Sequence, residues 1–212
     1  MAKKDFNTLE AYNEVLFETE NFKVIPSLGS LVEGWLLVIP KSHYISYGEI
    51  NDVLLLEELN TLVDYVCNIL YSEYGNYIIF EHGPFEKKSK VGCGVDYAHI
   101  HIVPINLKFD EVNSFSNPSI QWCKVEGIIS ASRYIELGQE YLYFQDCHNN
   151  SYLGTGVEIP SQYFRRIIAN IIGTPETFDW KSYLYLDNIT NTYTRLKKYN
   201  SVSKYSKIKM YA

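Results

Sequence analysis

Apolar positions along the chain fall into short alternating runs broken by turn residues, with one long exception. Residues 13–19 (NEVLFET) and 22–26 (FKVIP) read as two short strands around a turn, and 33–40 (EGWLLVIP) as a third, closed by Pro40. From Asn51 to about Tyr74 the period changes. Leu55, Leu59, Leu62, Val66, Ile69 and Leu70 fall on one face of a helix, with Asn51 placed to cap it and Gly75 to stop it. Residues 76–81 (NYIIFE) form a fourth strand. A polar, glycine-containing loop runs from His82 to Asp96, and 97–103 (YAHIHIV) form a fifth strand, ended by Pro104.

Beyond a loop over 106–119, strands are expected at 121–128 and 140–146. Ser161 is placed to cap a helix over 162–172 that Gly173 ends, and a second helix follows Asp187. His148, in Asp146-Cys147-His148-Asn149, reads as a turn residue. Strands, then a helix, then strands point to an α+β fold with an antiparallel layer rather than a doubly wound sheet. No internal repeat or low-complexity segment is visible. A boundary near 108–120 divides the chain into residues 1–108 and a C-terminal extension, 109–212, packed on them.

Composition narrows the function classes. Hydrophobic residues make up 46% of the 212, enough for a core, while the longest apolar runs are too short to span a bilayer. The first residues, Met1-Ala2-Lys3-Lys4-Asp5-Phe6, lack the apolar stretch of a signal peptide, so a cytoplasmic location without membrane attachment is expected. Cys67, Cys93, Cys123 and Cys147 form no CxxC pair, which favours free thiols over zinc or disulfides. A net charge of −6 argues against nucleic acid as a partner. It does not oppose a small phosphorylated ligand, which a few backbone N–H groups can hold. Lys197, Lys198, Lys204, Lys207 and Lys209 read as a solvated tail.

The candidate chemistry lies in Gly92-Cys93-Gly94-Val95-Asp96-Tyr97-Ala98-His99-Ile100-His101-Ile102-Val103-Pro104. On a strand, Tyr97, His99 and His101 share one face, while Ala98, Ile100 and Ile102 face the other and can pack on the helix. Positions two apart on one strand face are separated by roughly 7 Å. A neutral imidazole can attack phosphorus and form a covalent intermediate, while a second imidazole and backbone donors steady the oxygens. The bland readings are a surface histidine pair or a transition-metal site, the latter drawing on His82, His99 and His101.

The segment Tyr97-Ala98-His99-Ile100-His101-Ile102-Val103-Pro104 resembles the signature of the histidine-triad family of nucleotidyl hydrolases and transferases, three histidines alternating with apolar residues. A second stretch, Gly34-Trp35-Leu36-Leu37-Val38-Ile39-Pro40-Lys41-Ser42-His43, resembles the family's third strand, and Phe80-Glu81-His82-Gly83-Pro84 a third family position.

The resemblance spans about residues 12–106. It implies a twisted antiparallel sheet of about five strands carrying a long helix. It also implies a nucleotide hydrolase or nucleotidyl transferase with no cofactor and no metal, and a homodimer as one assembly. His99 takes the nucleophile's place and His101 that of the phosphate-contacting histidine, while Tyr97 replaces the first histidine and Trp35 an earlier one. The ribose-binding position falls on Ser27. Glu81 stands where an amide is usual, beside the phosphate, with His82 as its partner or facing the ligand. Backbone N–H groups at Gly92 and Gly94 steady the phosphoryl group. Lys41 and His43 fit as structural or rim residues, and Lys87, Lys88 and Lys90 lie on a longer loop that is expected to be solvated.

The segment Ile159-Pro160-Ser161-Gln162-Tyr163-Phe164-Arg165-Arg166-Ile167-Ile168-Ala169, with Asp179-Trp180, resembles the C-terminal extension of larger bacterial members. Either Gln162 or an arginine reaches the phosphate site, or Phe164, Ile168 and Ile171 simply pack the helix into a core that includes Trp180. A nucleotide-binding module with lost catalysis is the alternative to an enzyme.

Overall fold

The computed structural model describes residues 13–91, 95–115, 118–156 and 159–200. Gly92, Gly94 and the tail lysines Lys204, Lys207 and Lys209 lie outside the described residues. Among the described residues eight strands are present: β1 (Phe17–Glu18), β2 (Phe22–Pro26), β3 (Leu36–Pro40), β4 (Ile78–Gly83), β5 (Ile100–Val103), β6 (Gln121–Val125), β7 (Tyr141–Gln145) and β8 (Ser151–Thr155). They form one sheet in the order β1-β2-β3-β5-β4-β7-β8-β6, and every neighbouring pair is antiparallel. The helices are α1 (Val53–Tyr74), α2 (Phe109–Ser114), α3 (Ser132–Glu136), α4 (Tyr163–Ile171) and α5 (Leu186–Leu196). None is long and apolar enough to cross a membrane.

The α+β class and the antiparallel layer follow the sequence pattern, but the expected five strands become eight. Glu81 pairs with Tyr143 and His82 with Leu142, so the sheet continues from β4 into β7 without a break. The β7–β8 hairpin turns at Asp146, whose carboxylate accepts from the His148 and Asn150 N–H groups at 2.9 Å. Strand β5 starts at Ile100 rather than at 97, because the Ala98 N–H donates to the Tyr44 carbonyl (2.7 Å) and leaves the ladder. Helix α1 is capped by Asp52, one residue later than expected, whose side chain accepts from the Leu54 and Leu55 N–H groups.

Both faces of the sheet are covered. On one face Val24, Leu36, Val38, Ile79, Ile100 and Ile102 pack with Leu59, Leu62, Val66 and Leu70 of α1. On the other, Trp35, Ile78, Phe80, Val103, Leu142 and Phe144 pack with Phe164, Ile167 and Ile168 of α4. Period-two alternation thus sorts the buried residues of the central strands between α1 and α4.

That parity corrects the placement of Glu81. Its neighbours Phe80 and His82 face α4, so Glu81 faces α1 and cannot stand beside a phosphate bound near His101. It accepts from the Tyr47 N–H (2.7 Å) and from the Tyr141 hydroxyl, which in turn accepts from the Gly48 N–H (3.0 Å). His82, on the opposite face, is no partner for it. Burial pushes the Glu81 carboxyl up to about 7, against the lowering effect of the Tyr141 and Tyr47 hydrogen bonds. Tyr141 also fixes Gly83, where a Cβ would come within 2.1 Å of the Tyr141 ring.

Two stability predictions follow from this buried network. Between pH 4.5, the ordinary value, and about 7 the folded chain holds a proton that the unfolded chain releases. Stability therefore falls as pH rises through that window, by up to about 3 kcal/mol from this group. Urea unfolding at pH 5 and pH 8 measures it, and Glu81→Gln flattens the difference. Gly83→Ala forces the Tyr141 ring from its place and lowers stability by about 1–3 kcal/mol, read from the same unfolding midpoint.

Candidate active site

A cleft of about 410 Å³ opens on the α4 side of β2, β3 and β5. The register that sets Leu37 opposite His101, and His101 opposite Phe80, lays these three in a row across the sheet. Leu37 and Ile39 of β3, with Leu28 and Val95 from loops, give the cleft an apolar floor. Ser27, Tyr97, His99 and His101 supply its polar groups. Lys23, Ala98, Arg165 and Trp180 complete the lining, in which no described residue carries a carboxylate.

His99 directly precedes β5 and is half-buried at the cleft. Its Nδ1 lies 2.7 Å from the Tyr97 carbonyl oxygen. A carbonyl only accepts, so Nδ1 carries the ring proton and Nε2 keeps its lone pair. Burial lowers the pKa of this imidazole, outweighing the opposite pull of the Tyr97 carbonyl, so the ring is neutral near pH 7.

His101 is buried, with its ring stacked on Phe80 at 4.3 Å and 4.8 Å from that of His99. The Trp35 indole N–H donates to its Nδ1 at 2.9 Å. Its pKa is also lowered, by burial first and then by the nearby His99, His82 and Arg165. The two histidines thus present opposite tautomers.

Tyr97 lines the cleft, but its hydroxyl donates to the Pro40 carbonyl (2.8 Å). Ser27 lines it too and is almost fully buried. His82 does not line the cleft. It sits behind His101, among Phe80 and Phe164, and its Nε2 accepts from the Phe164 N–H (3.4 Å). Burial above all brings its pKa down to about 3, so it stays neutral. The expectation that His82 faces a ligand is therefore corrected: its ring is buried among aromatic side chains outside the cleft lining, with its Nδ1 unpartnered among the described residues.

Among the described residues no three His, Cys, Asp or Glu side chains are grouped to hold a metal ion. Lys41 pairs with Glu18 (3.1 Å), and the His43 ring contacts the Asp96 carbonyl (3.0 Å) and the Tyr97 ring; neither lines the cleft. Lys87, Lys88 and Lys90 are exposed and lie away from the cleft lining.

The C-terminal half builds one wall of the cleft. Arg165, on α4, is 2% exposed; its Nε donates to the Phe178 carbonyl (2.9 Å), its guanidinium donates to the Gly29 carbonyl, and it lies over the Trp35 ring at 4.8 Å. Gln162 does not reach the cleft; it clamps Asp179 (3.0 Å) and the Trp180 N–H (3.2 Å). This holds Trp180 against Gly29, where φ is +73° and a Cβ would meet Trp180 at 2.6 Å, so only glycine fits. Phe164 and Ile168 pack as the apolar periodicity predicts.

Sequence reasoning missed Lys23, Leu28, Leu37, Ile39, Val95 and Ala98 as lining residues, and the expectation that Trp180 belongs to the core is corrected: it lines the cleft. Parity offered the signal for three of the missed residues: Lys23 alternates with Phe22 and Val24, and Leu37 and Ile39 with Leu36 and Val38, and these partners lie on the helix-covered face.

No protein-family model and no curated protein matches the chain. Among solved structures it is similar to a hypothetical histidine triad nucleotide-binding protein from Sulfolobus tokodaii, at 24% identity and a TM-score of 0.37 over 46% of this chain and 67% of that one. It is also similar to a DUF4931 family protein from Bacillus cereus, at 13% identity and a TM-score of 0.42 over 88% of this chain and 99% of that one.

Proposed function

We propose that the chain binds a nucleoside phosphate compound in this cleft and transfers the nucleotidyl group onto His99, as a hydrolase or a nucleotidyl transferase. The observation that carries the reading is the hydrogen bond from His99 Nδ1–H to the Tyr97 carbonyl, which leaves the Nε2 lone pair at the edge of a cleft that carries cations and no carboxylate. The apolar floor of Leu28, Leu37 and Ile39 suits the flat face of a base, and Ser27, whose hydroxyl donates to the Leu28 carbonyl (3.3 Å), is the lining residue assigned to a sugar hydroxyl. Lys23 and Arg165 favour the phosphate charge.

The chemistry has two steps. Nε2 of His99 attacks the α-phosphorus, a P–N bond forms, and the bond from phosphorus to the leaving group breaks with its electron pair departing on that group. Water, or an acceptor phosphate, then attacks the same phosphorus. The P–N bond breaks and His99 is regenerated, with the proton of water passing to solvent. His101 donates to a non-bridging oxygen in both steps.

One observation favours a binding module instead. The Tyr97 hydroxyl is engaged by the Pro40 carbonyl, so the first triad position offers no ready acid for the leaving group.

Incubation with a dinucleoside polyphosphate or an adenosine phosphoramidate, followed by acid-free quenching and intact-mass measurement, separates the two. The expected result is an added mass of one nucleotide, absent in His99→Ala. Tight nucleotide binding with no adduct and no turnover sinks the enzyme reading in favour of the module. The pH dependence follows from the lowered pKa of His99: only the neutral ring attacks, so adduct formation rises with pH and levels off below the ordinary histidine value of about 6.5. Rapid-quench rates between pH 4.5 and 8 check this.

A further inference from the structure

The hydrogen bonding around His101 points to a role for a residue that has no chemistry of its own. Trp35 directly precedes β3 and is fully buried. Its indole is gripped on several sides: edge-on by Phe80 at 5.9 Å, beneath the Arg165 guanidinium at 4.8 Å, and edge-on by the His101 ring at 5.7 Å. An indole N–H donates and never accepts. With this N–H 2.9 Å from His101 Nδ1, that nitrogen must be the acceptor. The ring proton is therefore on Nε2, at the edge of a ring that lines the cleft.

We propose that Trp35 is a positioning residue that holds His101 in its Nε2–H form, making it a permanent hydrogen-bond donor to the cleft and removing it as a proton acceptor. Protonating His101 requires a proton on Nδ1, which would face the Trp35 N–H donor to donor. The charged groups around the ring work in the same direction. Arg165 and the imidazoles of His82 and His99 are the titratable or charged neighbours, and none of them is an acid.

The two histidines therefore divide the labour by tautomer: one offers a lone pair, the other a proton to share. A neutral imidazole is too weak an acid to release that proton, so the pair is suited to leaving groups that depart as stable anions, such as phosphates, more than to amines. This kinetic consequence rests on the covalent reading above, whereas the tautomer assignment does not.

The test is long-range proton–nitrogen NMR of the histidine rings in the full chain, from pH 5 to 8. Three forms are compared: the parent chain, Trp35→Phe, and the chain with Trp35 replaced by benzothienylalanine, which keeps the bicyclic shape and lacks the N–H. In the parent, His101 is expected to show a protonated Nε2 and a bare Nδ1 at every pH, and His99, once neutral, the reverse. In the benzothienyl form, His101 is expected to sample both tautomers and to take up a proton at higher pH than in the parent. Adduct formation from a dinucleoside polyphosphate should slow about tenfold, as expected for one lost hydrogen bond, with nucleotide affinity kept within about twofold.

A parent His101 with its proton on Nδ1 overturns the proposal. So does a benzothienyl variant whose tautomer and titration match the parent, or whose adduct rate does. If the parent forms no adduct, the covalent reading fails and the ring spectra still decide the role of Trp35. If Trp35→Phe does not fold, the benzothienyl form carries the test.

Discussion

The central strands are covered on both faces, so every polar group they carry must find its partner inside the protein. This constraint governs the site. Glu81, His82 and His101 are each at most 6% exposed. None can keep a charge cheaply, and each is pushed towards its neutral form by burial before any other cause. The carboxylate is met by a tyrosine hydroxyl and a backbone N–H, one imidazole by the start of α4, and the other by an indole. With at least one polar atom tied to a fixed partner, each ring or carboxyl has a set orientation, and a set orientation is what a reacting centre needs.

Neutrality and direction together distinguish His99 from its neighbours. It alone of the three buried-face imidazoles sits outside the ladder, half-open to the cleft, with its backbone partner two residues away. The chain gains this by leaving the sheet early. Had β5 begun at Tyr97, the Ala98 N–H would have been committed to a neighbouring strand; instead it is given to Tyr44, and the segment rises over the cleft. The Ala98 N–H that leaves the ladder is thus met in the loop.

Much of this was legible in residue periodicity. The 3.6-residue spacing from Leu55 to Leu70 marked α1, and period two placed Ala98, Ile100 and Ile102 against it and His101 opposite. Parity also held the answer for Glu81, since it must oppose Phe80 and His82 whatever its chemistry suggests. What periodicity does not carry is pairing between distant segments. Strand β8 is five residues long with a glycine, Gly154, inside it, a weak signal, and nothing local states that β7 lies against β4. Arg165 was ambiguous for a related reason. On the apolar face of α4 an arginine must have carbonyl partners, and those partners, Gly29 and Phe178, are far from it in sequence.

The union of β4 with β7 has a consequence for assembly. Strand β4 sits in the middle of the sheet because β7 takes up the backbone groups along its outer side. Those groups are no longer on offer to another molecule. Among the described strands, only β1 and β6 remain as edges, at opposite ends of the layer, and β1 is two residues long. A second copy that extended the sheet through the described strands would have to join at one of these margins, not alongside β4.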